Sequence, residues 1–199
     1  MSRRVRATFP LFLSVYTFGA ICGSFNAFLM DMLSRSKRIT LALSLLFIGL
    51  CCYGQVKSGA YRVMLQGLLS HTVPETGVQQ AVLKTSNAIF LDAREPKEFA
   101  VSHIAGAIPV GYDHFDLQKV AALQKDKPII VYCSVGYRSE KIAEKLLGAG
   151  FTKVSNLYGG IFEWVNQGLP IVDETGPTEK VHAYNRSWGV WLKKGEKVY

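Results

Sequence analysis

Cys133 is the side chain in this sequence whose type and surroundings best suit covalent chemistry. It follows the apolar run "PIIVY" and opens the segment "CSVGYRS", in which Gly136 and Arg138 precede a helical pattern that begins near Ser139. Backbone N–H groups of such a loop attract an anion, and glycine supplies the unusual backbone angles of the turn. The same field and the Arg138 charge favour the nucleophilic thiolate. The pattern predicts a reactive thiol, with an inert core cysteine as the alternative.

The remaining cysteines offer Cys133 no disulfide partner. Cys22, Cys51 and Cys52 lie in apolar N-terminal segments that would be removed from the mature protein or embedded in a membrane. Neither a second cysteine nor a histidine stands at metal-ligand spacing from Cys133. We therefore expect no disulfide, no metal site and no cofactor. The histidines that stay without an assigned role are His71, His114 and His182.

Residues 32–54 have the layout of a secretory signal peptide. A basic stretch, "SRSKR", precedes an apolar run over residues 39–50 and then small residues near Gly54. The apolar run is shorter than the roughly 20 residues of a membrane-spanning helix. We expect cleavage near Gly54 and export to the periplasm or the medium. A lipid anchor at Cys51 or Cys52 is the alternative, although Leu50 fits such a site poorly.

Residues 1–31 contain a second apolar stretch, over residues 9–30, that is long enough to span a bilayer. Basic residues flank it on both sides, so the positive-inside rule places both of its ends on the same side of a membrane. One crossing cannot satisfy that rule. The segment is therefore interpreted as an extension upstream of a true start at Met30 or Met32, with an N-terminal membrane anchor as the alternative.

The positive charge of the chain does not indicate nucleic-acid binding. Of the formal net charge of +8, residues before position 55 contribute +5, and the remainder mixes lysine with glutamate without a basic stripe. The 199 residues, of which 49% are hydrophobic, suffice for one sizeable core. We expect one globular domain after the leader and no nucleic-acid partner.

Strands and helices alternate along the chain from residue 60. Short apolar runs predict strands over residues 88–92, 128–132 and 153–157. Such alternation is typical of an α/β fold in which helices cover both faces of a parallel sheet. Ligands bind at the carboxyl ends of such strands, where Cys133 stands. Helices are predicted over 75–85, 95–100, 116–125, 140–150 and 160–168, and a covering helix over 61–70.

Three sequence blocks in this order resemble the rhodanese-like sulfurtransferases. The loop "CSVGYRS" has the complete family pattern of Cys, two residues, Gly, one residue, Arg, and Ser or Thr. The upstream "FLDAREPKEFAVSHIAGAIPV" and the downstream "NLYGGIFEWVNQGLPIV" are similar to the flanking family signatures. The resemblance covers residues 73–172 and implies the rhodanese-like fold, with a central parallel sheet of about five strands. Residues 55–72 would then be an N-terminal covering segment and 173–199 a C-terminal aromatic extension.

The resemblance implies a sulfurtransferase that carries sulfur as a persulfide on Cys133, and the leader over residues 32–54 implies that it is exported. Sulfane sulfur would pass from thiosulfate or a persulfide donor to cyanide or a thiol. Arg138 would bind the anionic donor and shape the loop, with Ser134 and Tyr137 exposed at the entrance. Asp92 and Arg94 would support the loop from behind, or form a structural ion pair. The implied substrate-binding residues are Ser134, Val135, Gly136, Tyr137, Arg138 and Ser139.

Two other functions are weighed against sulfur transfer. A noncatalytic rhodanese-like module could bind a partner or sense oxidants through the same thiol. Phosphatases that resemble rhodanese place five residues between Cys and Arg, whereas four stand here, and Tyr132 replaces the histidine that usually precedes their cysteine. The sequence therefore favours sulfur over phosphate chemistry.

Polar and aromatic residues outside the loop receive mainly structural interpretations. Glu98 and His103 are expected to brace the turn "SHIAGA". Tyr184, Trp188 and Trp191 have a helical spacing that predicts packing onto the domain, with a lid over the crevice or a docking surface as the alternative.

Overall fold

A computed structural model of the chain describes residues 56–199. The expected signal peptide and the apolar segment before it, with Cys22, Cys51 and Cys52, therefore lie outside the described residues. Within residues 56–199, no helix is both long enough and apolar enough to cross a membrane.

The architecture is built around a five-stranded sheet whose strands all run parallel. In chain order the strands are β1 (Glu75–Thr76), β2 (Ile89–Asp92), β3 (Ile108–Pro109), β4 (Ile129–Tyr132) and β5 (Val154–Leu157). Their order across the sheet is β1–β5–β4–β2–β3, with β4 at the centre. The prediction of an α/β fold with about five parallel strands is confirmed.

Helices flank both faces of this sheet. They are α1 (Gly59–Leu68), α2 (Val78–Leu83), α3 (Pro96–Val101), α4 (Tyr137–Gly148), α5 (Gly160–Asn166) and α6 (Arg186–Gly189). Side chains alternate across the central strand, so Ile130 and Tyr132 join the apolar cluster that contains α1 and α5. Ile129 and Val131 point to the other face, where they join the cluster that contains α4. Cys133 extends this second cluster at the end of the strand.

Two predicted helices are shorter than their sequence patterns indicated. The helix expected over 75–85 is only Val78–Leu83, because Glu75–Thr76 instead pairs with β5 as an edge strand. The helix expected over 116–125 is a single 3-10 turn, Leu117–Val120, in which only Val120 is buried. One buried side chain does not offset the cost of ordering a longer helix.

The C-terminal residues form two small ribbons and one helical turn. The ribbon strands are β6 (Ile171–Asp173), β7 (Gly176–Thr178), β8 (Lys180–His182) and β9 (Glu196–Val198). Tyr184, Trp188 and Trp191 do not share one helix, because Tyr184 precedes α6 with a φ of +64° and Trp191 follows it. Trp191 nevertheless packs on the domain, since its ring stacks on Tyr61 at 5.3 Å between centroids.

Candidate active site

Cys133 lies at the carboxyl end of the central strand, directly before the loop that leads into α4. The helix begins at Tyr137, two residues before the predicted Ser139, with Gly136 as its N-cap at a φ of +123°. A side chain is strained at such a φ, so glycine permits this tight entry. The Cys133 side chain is almost completely buried. The thiol therefore faces the start of a helix from within the fold.

One backbone N–H group of the loop, that of Gly136, points toward the sulfur. The Gly136 N–H donates to Cys133 Sγ at 3.1 Å. The first N–H groups of a helix have no carbonyl partner within the helix, and its N-terminus carries a partial positive charge. A negatively charged ligand beside Sγ would therefore meet a favourable partial charge.

Helix α5 binds the carbonyl groups at the start of the loop through two backbone hydrogen bonds, which we call the carbonyl clamp. Its Ile161 N–H donates to the Cys133 carbonyl at 2.9 Å, and its Phe162 N–H donates to the Ser134 carbonyl at 3.1 Å. This contact requires Gly160, because a Cβ atom there would lie 2.4 Å from the Cys133 carbonyl oxygen. The segment "GGIF" therefore fixes the loop, a role that the sequence signals only through its paired glycines.

Arg138 is joined to Glu98 by two hydrogen bonds. Nη1 donates to Oε2 at 2.7 Å and Nη2 donates to Oε1 at 2.8 Å, while Ser134 Oγ donates to Oε1 at 3.2 Å. Burial alone would raise the pKa of the Glu98 carboxyl, but the hydrogen bonds from Arg138 hold that pKa below its usual range. Burial opposes the charge on Arg138 as well, yet Glu98 raises its pKa. The two side chains form one neutral unit.

Two expectations from the sequence are corrected by this pair. Glu98 does not brace the following turn with its side chain, because its carboxylate reaches the loop residues Ser134 and Arg138. Ser134 is buried rather than exposed at the entrance, since its hydroxyl is engaged by Glu98. Tyr137 is exposed as expected.

Ser139 and Asn156 support the loop from below. Ser139 Oγ lies 2.7 Å from Asn156 Oδ1 and 3.5 Å from Cys133 Sγ, and Asn156 Nδ2 donates to the Gly136 carbonyl at 2.9 Å. Sequence reasoning missed Asn156. The only signal was a polar residue inside the apolar run of β5, where a buried amide needs partners.

Asp92 and Arg94 form a fully buried ion pair, with Arg94 Nη2 2.6 Å from Asp92 Oδ2. Arg94 Nη2 also donates to the Ser102 carbonyl at 2.6 Å, and the guanidinium lies over the Tyr132 ring. These contacts tie the end of β2 to the turn after α3. The geometry matches the structural interpretation, since the pair makes its contacts away from the sulfur.

A cavity of about 590 Å³ opens above Cys133. Its lining combines the loop with residues from the rest of the domain, including two aromatic side chains of the C-terminal extension, Tyr184 and Trp188. Leu68 of α1 lines it as well. Sequence reasoning assigned none of these three to the site, apart from the alternative of a C-terminal lid. The carboxylates and cations in the lining are Glu95, Glu98, Asp113, Lys97 and Arg138.

Over residues 56–199, no group of His, Cys, Asp and Glu side chains could hold a metal ion. The three histidines without an assigned role lie apart from one another. His71 contacts Glu75 at the surface, and His182 Nδ1 accepts a hydrogen bond from the Tyr184 N–H at 3.1 Å. His114 lies exposed, with its carbonyl accepting from Lys119.

Comparison with known proteins identifies the family. A family model described as a rhodanese-like domain matches residues 78–167. A sulfurtransferase of Allochromatium vinosum is 31% identical over 104 residues, which cover 52% of this chain and 96% of that protein. The chain belongs to the rhodanese-like sulfurtransferase family. Leu68, Tyr184 and Trp188 lie outside the matched residues 78–167, which are called the rhodanese-like core below.

Two further similarities extend over part of the chain. A tRNA uridine(34) hydroxylase of an Enterobacter species is 37% identical over 100 residues, which cover 46% of this chain but only 29% of that protein. A solved structure of a Bacillus halodurans protein superposes with a TM-score of 0.48 and 26% identity, covering 59% of this chain and 86% of the other.

Proposed function

We propose that this rhodanese-like protein transfers sulfane sulfur through a persulfide on Cys133, from thiosulfate or a persulfide donor to cyanide or a thiol. The observation that carries the proposal is the position of Sγ. It lines a cavity and accepts the Gly136 N–H at 3.1 Å at the entrance to α4. The Gly136 N–H and the N-terminus of α4 present a partial positive charge there, which would stabilise the negative charge on the outer sulfur of a persulfide.

The first step loads the enzyme. The Cys133 thiolate attacks the outer sulfur of thiosulfate, a new S–S bond forms, the donor S–S bond breaks, and sulfite leaves with the bonding electron pair. No net oxidant or proton source is required. The persulfide anion then occupies the space beneath the first turn of α4, where Gly136 and Ser139 contact the sulfur.

The second step discharges the persulfide onto an acceptor. A thiolate or cyanide attacks the outer sulfur, and Cys133 leaves as the thiolate. Within residues 56–199 no second cysteine is present to resolve the persulfide as a disulfide. Among these residues, discharge of the persulfide therefore requires an acceptor that enters the cavity.

In this reaction the main role of Arg138 is to shape the loop around Cys133. Because Glu98 takes both of its Nη groups, its charge is compensated before an anionic donor arrives. This supports the loop-shaping part of the role expected from the sequence more than direct binding of the donor.

The noncatalytic module is the second candidate, and the phosphatase is weaker. A buried thiol that accepts the Gly136 N–H could also sense oxidants, which gives a module without turnover a physical basis. For phosphate chemistry, the four-residue spacing between Cys133 and Arg138 makes the narrower loop.

We also propose that the protein is exported, to the periplasm or the medium, with a membrane anchor as the alternative. The basic and apolar pattern of residues 32–54 supports this. Cell fractionation, with the N-terminus of the mature protein determined by mass, tests this proposal. The expected result is a protein that begins near residue 55 and is found in the soluble periplasmic or extracellular fraction.

The sulfur-transfer proposal is tested by intact mass of the full chain carrying Cys22→Ser, Cys51→Ser and Cys52→Ser. Incubation with thiosulfate should add one sulfur, about 32 Da, and cyanide should remove it as thiocyanate. The same chain with Cys133→Ser should gain nothing. If neither thiosulfate nor an organic persulfide adds sulfur to Cys133, transfer is excluded, and reaction of the thiol with peroxide tests the sensor.

A further inference from the structure

Residues outside the rhodanese-like core cover the mouth of the cavity above Cys133. Tyr184 and Trp188 line it from the C-terminal extension, and Leu68 lines it from α1. Cys133 is 1% exposed, whereas Tyr184 is 47% and Tyr137 42% exposed. The sulfur thus lies at the bottom of the cavity and the aromatic side chains lie at its mouth.

The extension is built to hold Tyr184 and Trp188 in place. Tyr184 adopts a φ of +64°, an uncommon conformation for a residue with a side chain, and its N–H donates to His182 Nδ1. Asn185 caps α6 by accepting the Trp188 N–H at 3.0 Å. The Tyr184 ring then lies over the Arg138 guanidinium, 5.1 Å from its centroid. These contacts fix the direction in which the two aromatic side chains project.

The cavity is large for an inorganic sulfur compound. Its volume of about 590 Å³ falls in the range of roughly 300–1,000 Å³ that suits organic ligands. Thiosulfate and cyanide consist of a few non-hydrogen atoms and leave most of this space unfilled. Aromatic faces in the wall favour a ligand with an apolar or cationic body.

At the mouth of the cavity, away from the N–H group that faces Cys133, the charges favour an uncharged or cationic ligand body over an anionic one. The carboxylates of Glu95, Glu98 and Asp113 outnumber the cations of Lys97 and Arg138 by one. Glu98 and Arg138 cancel each other through their paired hydrogen bonds. The charges left at the mouth are two carboxylates and the exposed Lys97.

We infer that Tyr184, Trp188 and Leu68 form a subsite for a small organic thiol whose body is uncharged or cationic, and which accepts sulfur from the Cys133 persulfide. The inference rests on the proposed function and names the acceptor for it. The acceptor thiolate attacks the outer sulfur, the bond between that sulfur and Cys133 breaks, and the products are the organic persulfide and the Cys133 thiolate.

The first test measures discharge of the persulfide in single turnovers. The full chain with Cys22→Ser, Cys51→Ser and Cys52→Ser is loaded with thiosulfate and mixed with benzyl mercaptan, cysteamine or 2-mercaptoethanesulfonate. Trp188→Ala should raise the half-saturating concentration of benzyl mercaptan about tenfold, which corresponds to about 1.4 kcal/mol and lies within the range of an aromatic contact. Trp188→Phe should restore most of it. Val190→Ala, an exposed change beside Trp188 but outside the lining, is the matched control.

The second test does not depend on sulfur transfer. Alkyl methanethiosulfonates convert the Cys133 thiolate into a mixed disulfide and release methanesulfinate, and each rate is divided by the rate with a free small thiol. The normalised rate should be higher for the benzyl reagent than for the methyl reagent, and Trp188→Ala should lower the ratio of these two rates about tenfold. The normalised rate should also be higher for the aminoethyl reagent than for the sulfonatoethyl reagent, and Asp113→Asn should lower the ratio of these two rates about threefold.

The outcomes separate the two proposals. If sulfur does not load but the benzyl and aminoethyl preferences hold and fall in the variants, the subsite stands and the sulfur-transfer proposal fails. If sulfur loads, and the Trp188→Ala and Tyr184→Ala variants pass it to all three thiols with the same half-saturating concentrations as the protein that keeps Tyr184 and Trp188, the subsite is refuted. A preference for the sulfonate reagents refutes the charge argument.

Discussion

Arg138 has its charge compensated before any substrate arrives. Glu98 receives both Nη groups, and the carboxylate is fully buried while the arginine side chain is 14% exposed. Removing one partner of a buried ion pair leaves the other desolvated and unpaired. Glu98 is therefore a positioning residue that acts on the loop through Arg138 and Ser134.

Replacing Glu98 with Gln should destabilise the domain by about 2 kcal/mol at neutral pH, because Arg138 keeps a neutral acceptor but loses its counter-charge. Urea unfolding of the two proteins measures the difference. Leu83→Ala, at a side chain that is 83% exposed, is the control and should change the unfolding free energy little. An unchanged midpoint for Glu98→Gln would mean that the pair does not stabilise the fold.

The same pair predicts how the difference depends on pH. The folded-state pKa of Glu98 lies below its ordinary value of 4.5, so ionised Glu98 contributes its full stabilisation above that value. The contribution is lost as the pH falls through the folded-state pKa. The gap in unfolding free energy between the native protein and Glu98→Gln should therefore narrow as the pH falls below the ordinary carboxyl pKa of 4.5. A gap that stays constant down to the acid transition would contradict this assignment.

At the scale of elements, the apolar runs predicted β2, β4 and β5 to within one residue, because buried parallel strands are almost entirely apolar. The loop after β4 was also recognised, since its residue types suit an anion site. The edge strand Glu75–Thr76 could not be read, because two residues carry no period and their pairing is tertiary. The hydrogen bonds from α5 to the Cys133 and Ser134 carbonyls could not be predicted either, because they too are tertiary contacts.

Gly160 provides the test of the carbonyl clamp. A methyl group there would meet the Cys133 and Ser134 carbonyls at 2.4 and 2.6 Å, and the φ of +56° disfavours a side chain. Gly160→Ala should cost about 2–4 kcal/mol of unfolding free energy and slow sulfur loading in the fraction that folds.

Gly148→Ala is the matched control for this substitution, because nothing lies within 4 Å of its Cβ position near the end of α4. It should be neutral or slightly stabilising. Equal effects of the two substitutions, measured by urea unfolding and by the mass of the sulfur adduct, would show that the carbonyl clamp does not shape the loop.

At the scale of the whole described domain, segments outside the rhodanese-like core complete both the core and the site. Tyr61 and Leu65 of α1, with Leu192 of the extension, are fully buried in the cluster that contains α5. The extension was expected to pack on the domain, and Trp191 does so. Its contribution to the cavity could not be predicted, because the position of Tyr184 depends on a backbone conformation that its sequence does not announce.

Trp191 tests whether the extension is an integral part of the fold. Its ring stacks on the buried Tyr61, and its carbonyl accepts from Asn166 Nδ2 of α5 at 2.9 Å, so it joins three segments. Trp191→Ala should lower the unfolding free energy by about 2–3 kcal/mol in one cooperative transition, because the lost stacking leaves a cavity beside Tyr61. Val190→Ala, whose side chain is 51% exposed, should stay within about 0.5 kcal/mol. If Trp191→Ala instead releases the extension in a separate early transition, the rhodanese-like core is stable without it, and the extension serves the cavity alone.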